Sequence, residues 1–370
     1  MSKLIKSTRV LPEDIVVDIL VQLPIKSITR FKCVCKSWYN LIQSPNFISM
    51  HFNYTDNIVL IKHAHVVNSN GHIPKYLSVF SFHSNDKSLT TLAPILEIPH
   101  FDAHLSEVLG PCNGIICITD YSRIVLCNPA TREFKLLPPS SYRSSDQILC
   151  CNKGTGFGVD SDSVDCDFKV VRILRILDKN DISRYPGYRA ELYSLRANSW
   201  RQLDYVLPYI EYCRSFEIFF NGACHWYACN HKYIILSFNV HSELFEEIDI
   251  PSNYLPMTGQ SECLQILNGS LAFVAYTSDV ILSNQNYIDI WAMKEYGVAE
   301  SWLKMFHVKL FDIRYPLSIW MDNFLFLENH LGQLELCELD SPYREKFQIS
   351  GVHGSMRVLV YEKTLISINK

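Results

Sequence analysis

Cys224, His225, Cys229 and His231 are the densest run of metal-capable side chains in this 370-residue sequence. A structural zinc needs four such ligands converging on a tetrahedron. In a strand, Cys224 and His225 point to opposite faces, so the four do not easily converge. No Cys-x-x-Cys pair occurs to complete a site. Gly154-Thr155-Gly156-Phe157-Gly158 has the glycine density of a phosphate-cradling loop. Such a loop works through the dipole of a following helix and a lysine. Here strand-like sequence and Asp160 follow, so a turn leading into a strand is expected. Glu246 and Glu247 read as a solvated strand edge. Neither a Gly-x-Ser-x-Gly elbow nor a His-Glu-x-x-His pair is present. A catalytic site near His225 or Asp160 would need a nucleophile and a base side by side, and the sequence displays no such pair. No catalytic residue, cofactor or metal is expected.

Thirteen cysteines are an odd number at scattered spacings. Met1 to Arg9 carries Lys3, Lys6 and Arg9 but no apolar core, so it does not read as a secretory signal. A cytosolic or nuclear chain with reduced, mostly buried thiols is therefore expected. Cys33 and Cys35 are expected on a helix, in core packing. In that compartment the Asn53-Tyr54-Thr55 and Asn268-Gly269-Ser270 sequons would not be used. No apolar run approaches the roughly 18 residues of a membrane helix. With 48% hydrophobic and 19% charged residues the chain is globular rather than disordered. A net charge of −4 argues against a general nucleic-acid binder.

The elements that would position any site divide the chain unequally. Residues 1–50 carry seven positive side chains (Lys3, Lys6, Arg9, Lys26, Arg30, Lys32, Lys36) and three negative ones (Glu13, Asp14, Asp18), a balance of +4 that leaves −8 on residues 51–370. The first part reads as helices. Pro12 suits a helix start, with Glu13 and Asp14 at the positive end of the dipole. Asp14, Asp18 and Gln22 make one narrow polar stripe, and nearly everything else to Leu23 is aliphatic. Such a helix must be covered on two sides. Pro24 ends it. Ile28, Phe31, Cys35, Trp38 and Ile42 continue at helical spacing until Pro45. About 40 helical residues cannot bury this much apolar surface alone. Either they pack on the rest of the chain, or they present a face to another protein.

The remainder is β in character, with short aromatic and β-branched runs and Asn-Gly turns at Asn113-Gly114, Asn221-Gly222 and Asn268-Gly269. An apolar anchor recurs at Leu89, Phe134, Trp200, Phe245, Trp302 and Phe347, at steps of 45, 66, 45, 57 and 45 residues. A step of 45 matches one four-stranded propeller blade, and the longer steps imply insertions near residues 177–187 and 277–286. An all-β propeller of about six blades is predicted, with the anchors in its core. Closure would also remove the exposed edges of an open sheet.

The order Leu11-Pro12-Glu13-Asp14-Ile15, Ile19-Leu20, Leu23-Pro24, Ile28, Phe31-Lys32-Cys33-Val34-Cys35-Lys36-Ser37-Trp38 and Leu41-Ile42 resembles an F-box. Gly110-Pro111-Cys112-Asn113-Gly114, Cys127-Asn128-Pro129-Ala130-Thr131-Arg132-Glu133-Phe134, Leu137-Pro138-Pro139 and Gly156-Phe157-Gly158-Val159-Asp160 resemble the plant F-box-associated domain. Glu295-Tyr296-Gly297-Val298-Ala299-Glu300-Ser301-Trp302 and Tyr361-Glu362 resemble the S-locus F-box proteins of self-incompatible plants. The resemblance implies a small all-α F-box domain (residues 5–50) and a kelch-like F-box-associated β-propeller (residues 51–370). It implies docking on a Skp-type adaptor, and through it on cullin and RING subunits, by Leu11, Pro12, Ile15, Leu20, Leu23, Pro24, Ile28, Val34 and Trp38, Trp38 also holding the helical core. The adaptor is acidic in this family, which the +4 complements. The chain would be a non-catalytic substrate receptor of a ubiquitin ligase, raising the substrate's effective concentration near a ubiquitin-charged enzyme. For the S-locus type the substrate is a secreted basic ribonuclease (S-RNase) met in pollen, and no nucleic acid or membrane partner is implied. Ser140 to Lys153 lacks the family's usual Gly-Cys-Pro stretch. The alternatives are therefore an S-locus-like paralogue with another protein substrate, or a non-ligase interaction propeller. Recognition loops are expected around Arg143–Lys153, Asp178–Tyr188 and Ser278–Tyr287, because loops on rigid scaffolds commonly carry recognition.

Overall fold

A computed structural model of the chain describes residues 11–52, 58–64, 75–83, 88–91, 96–97, 107–120, 123–140, 142, 145, 148–162, 166–180, 187–204, 212–213, 217–256, 258–277, 287–309 and 313–369. The S-locus-like Glu295–Trp302 stretch lies within this set. The Asn53-Tyr54-Thr55 sequon and most of the three expected recognition loops lie outside it.

Four short helices come first: α1 (Glu13–Val21), α2 (Ile25–Phe31), α3 (Lys36–Gln43) and α4 (Pro45–Phe52). Pro12 and Pro24 stand just before α1 and α2, where a missing N–H costs nothing. The apolar series from Ile28 to Ile42 is broken between α2 and α3, and Pro45 opens a fourth helix as well as closing the third. Cys33 and Cys35 therefore lie in the α2–α3 connection and are exposed, against the expectation of core packing. Leu20, Val21, Ile25, Ile28, Ile42 and Phe47 form the helical core. Phe31 and Trp38 meet edge-to-face at 5.4 Å on its flank. His51 Nε2 donates to the Leu23 carbonyl at 2.9 Å, tying α4 to the α1–α2 link.

Six antiparallel sheets follow, as the anchor spacing predicts. Blade 2 is Glu107–Cys112, Ile115–Thr119, Ile124–Asn128 and Glu133–Leu136. Blade 3 is Ile148–Asp160, Asp167–Asp178, Gly187–Ser194 and Ser199–Leu203. In blade 4 the inner strand is split into Tyr212–Cys213 and Ile218–Phe220, before Ala223–Asn230, Lys232–Asn239 and Phe245–Asp249. Blade 5 is Gln260–Leu267, Ser270–Thr277, Tyr287–Met293 and Trp302–Lys309. Blade 6 is Ile313–Trp320, Phe324–Asn329, Gln333–Glu338 and Arg344–Ser350. Blade 1 takes its inner strand, Arg357–Tyr361, from the far end of the chain and pairs it with Ile58–Ala64, followed by Lys75–His83 and Ser88–Thr91. The inner strands touch one another around an axis, so the last strand closes the ring.

Each sequence anchor sits on the outermost strand of a different blade and packs against an apolar cluster. The Asn-Gly turns have positive φ at both residues (46° and 74° at Asn113-Gly114), the twist-matched hairpin geometry. The long step to Trp200 is partly strand: the first two strands of blade 3 run 13 and 12 residues.

Candidate functional site

Four-stranded antiparallel blades have two rims. Connections from first to second and third to fourth strand emerge at one, and those from second to third strand and on to the next blade at the other. Ala130, in the third-to-fourth turn of blade 2, and Leu365, just past the closing strand, both pack against the helical core. The helices therefore sit under the first rim, here called lower. Ile148–Lys153 of the first expected recognition loop belongs to the inner strand of blade 3, and the described strand ends that flank the three expected loops lie at the upper rim, the opposite end. Leu255 and Leu331, 74% and 75% exposed, also project there.

The nine expected docking residues divide into three groups. Leu11, Pro12, Ile15, Pro24 and Val34 are exposed, and Leu23 and Trp38 are half-buried against the helical core. Leu20 and Ile28 are 1% and 0% exposed, packed inside that core on the sides of α1 and α2 turned to α4 and α3 respectively. Ile19, 50% exposed, was not among the nine. It lies four residues after Ile15 and shares its helix face, a spacing the sequence already displays. Leu11, Ile15, Ile19 and Val34, with Tyr39 of α3, thus remain exposed on a helical unit whose other side is packed. One side of the helical unit is packed within the chain, and the other carries these uncovered side chains. Arg30 and Lys36 are exposed on the same helices, and Lys32 is half-exposed.

The metal-like cluster does not assemble. Cys224 is buried beside the Glu217 carboxyl. His225 is buried and hydrogen-bonds the Tyr296 hydroxyl through Nε2 at 2.7 Å, while His231 is an exposed turn residue with φ of 56°. Among the described residues no three metal-ligating side chains gather. The glycine run lies wholly within the inner strand of blade 3. A Cβ on Gly156 would fall 2.6 Å from both Glu217 and Trp226, so its glycine admits blade 4 rather than a phosphate. Glu246 and Glu247 are exposed on an outer strand. Asp160 is tied to Lys169 and His241, each at 3.0 Å. Burial pushes its carboxyl pKa up, but these hydrogen bonds outweigh that and hold it below the usual range. Between the inner strands lies a cavity of about 410 Å³, lined by Glu217, Gln265, Tyr276, Tyr315, Ser318 and Arg357 among apolar side chains. Neither Asp160 nor His225 borders it. No described helix is long and apolar enough to cross a membrane.

Residues 10–50 match the F-box domain and residues 42–365 the F-box associated beta propeller domain. F-box protein CPR1 of Arabidopsis thaliana is 28% identical over 81% of this chain and 73% of its own length. An F-box/kelch-repeat protein of the same plant is 28% identical over 97% of this chain and 96% of its own. Among solved structures, TolB from Acinetobacter baumannii aligns at a TM-score of 0.44 and 8% identity, over 84% of this chain and 70% of that one. Carrying both matched domains in this order, the chain belongs to the family of F-box proteins with an F-box associated β-propeller.

Proposed function

We propose that the chain is the substrate receptor of a Skp–cullin–F-box ubiquitin ligase, docking an acidic Skp-type adaptor through Leu11, Pro12, Ile15, Ile19, Pro24 and Val34, with Leu23 and Trp38 backing that face. The observation that carries this reading is the uncovered aliphatic set on a helical unit whose other side is filled. Exposed lysines and arginines around it complement an acidic partner. In this reading the propeller holds a substrate protein at its upper rim and breaks no bond itself. The S-locus-like stretch at Glu295–Trp302 and the −8 on residues 51–370 support a basic ribonuclease (S-RNase) as that substrate. The departure at Ser140–Lys153 favours a second reading, a paralogue with another protein target.

The test compares exposed with buried positions. Ile15→Asp and Val34→Asp should each weaken adaptor binding at least about 30-fold, a loss of roughly 2 kcal/mol, with thermal stability unchanged. Leu20→Ala should instead cost about 2–5 kcal/mol of stability. Adaptor binding by both aspartate variants at wild-type strength would sink the docking claim.

A further inference from the structure

Asn128-Pro129-Ala130-Thr131-Arg132-Glu133, a stretch that carries the family resemblance, belongs neither to the upper rim nor to the docking face. Its partners are instead residues 362–369, the segment beyond the ring-closing strand. Asn128 is fully buried with all its hydrogen-bonding capacity used. Its Nδ2 donates to the carbonyls of Thr364 (3.1 Å) and Ile366 (2.7 Å), and its Oδ1 accepts from the N–H groups of Ala130 and Thr131. Glu133 Oε2 accepts from Ser367 Oγ at 2.8 Å and the Ile368 N–H at 3.0 Å. The Ala130 N–H donates to the Tyr361 hydroxyl at 3.1 Å. Gly114, from the other resemblance stretch, has φ of 74°, and a Cβ there would lie 2.5 Å from the Glu362 carbonyl and 2.7 Å from the Thr364 side chain. The segment so held is two-faced. Leu365, 2% exposed, inserts into the helical core, and Ile368, 0% exposed, into the cluster shared by blades 2 and 3.

We propose that residues 362–369 are a strap that fixes the docking helices to the lower rim, and that Asn128, Glu133 and Gly114 are positioning residues that seat it. The strap would set the angle between adaptor and captured substrate; that consequence rests on the receptor reading, whereas the seating does not. The side-chain geometry accounts for the motif without a ligand: one amide and one carboxylate hold four backbone or hydroxyl groups of the strap, and one glycine clears the path.

Amide hydrogen exchange on the full chain tests the seating. In Asn128→Ala with Glu133→Ala, amides of α1 and α4 should exchange at least tenfold faster while those of blades 4–6 keep their protection. Glu133→Gln, which retains an accepting oxygen, should behave as wild type. Unchanged helix protection in the double variant overturns the proposal, as does an equal loss across all blades. Should the double variant fail to fold, Leu365→Ala leaves the seat intact and must still speed exchange in the helices but not at Ile366 and Ile368. Helix protection unchanged in Leu365→Ala is equally fatal. In the assembled ligase, the propeller lysines that receive ubiquitin are mapped by mass spectrometry. The double variant should at least double the number of modified sites with adaptor affinity within twofold of wild type, and an unaltered pattern overturns the angular role. A wild-type chain that binds no adaptor defeats the receptor reading, and the exchange result then decides the strap alone.

Discussion

His225 is a buried imidazole whose environment favours its neutral form. Its Nδ1 faces the Ile218 carbonyl at 3.3 Å, which can only accept, so the ring proton belongs there and Nε2 accepts from Tyr296. Burial keeps the Tyr296 hydroxyl protonated by pushing its pKa up to about 12, and pushes the imidazole of His225 down from 6.5 to about 4. In the unfolded chain the ring takes a proton below about 6.5, while the folded site resists it until about 4. Stability is therefore complete above that window and is lost as pH falls through it, by up to roughly 3 kcal/mol. Urea unfolding at pH 7.5 and pH 5 should show a loss in wild type that His225→Gln reduces by about 2 kcal/mol. Equal losses in the two proteins would refute this titration. At this scale the sequence displayed side-chain types but not their company. Cys224 and His225 were legible as opposite-facing neighbours. That Tyr296, 71 residues away, completes the histidine's hydrogen bonds was not legible, because the contact joins different blades.

Elements were legible where periodicity is strong. One anchor per blade and positive φ at each Asn-Gly turn follow from local rules that tertiary packing does not override. The α2–α3 break was not, because Ile28 to Ile42 keeps its helical spacing across a connection that redirects the chain. Contacts between blades were also hidden, and one ion group shows what they contribute. Lys169, on the second strand of blade 3, donates to Asp160 at 3.0 Å, to the Val240 carbonyl at 2.7 Å and to Glu243 at 3.2 Å. Glu243 also pairs with Arg201. The ammonium thus stitches blade 3 to the third-to-fourth turn of blade 4 at the lower rim. Removing Lys169 takes the ammonium from buried Asp160 and leaves it the solvent-exposed His241, a costly change for a desolvated charge. Lys169→Met should cost about 3 kcal/mol or more, and adding Asp160→Asn should recover a substantial part of that loss. Strict additivity in a double-mutant cycle from urea midpoints would show that the stitch contributes no coupling.

At the scale of the whole molecule, the two ends of the described chain meet. The closing strand pairs Tyr361 with Ile58 and Arg357 with Lys62, and the strap continues from it beneath blade 2 to the helices. A closed ring was legible from the repeat and from the cost of open edges, but not which segment closes it. Asn128 and Thr364 are 236 residues apart, and no local pattern records such a contact. The arrangement separates two dependencies that successive truncations can distinguish. Removing residues 362–370 leaves all six blades paired, so the propeller should keep one cooperative unfolding transition, lowered by the loss of Ile368 from its cluster. The helices, having lost Leu365, should lose amide protection first. Removing residues 357–370 also strips blade 1 of its inner strand, exposing Ile58 and Leu60, now 0% exposed, along an unpaired edge. That longer truncation should abolish the cooperative transition and promote self-association, measured by calorimetry and light scattering. If the two truncations unfolded alike, closure and strapping would be one device rather than two. If the longer one stayed cooperative and monomeric, blade 1 would not depend on the strand that closes the ring.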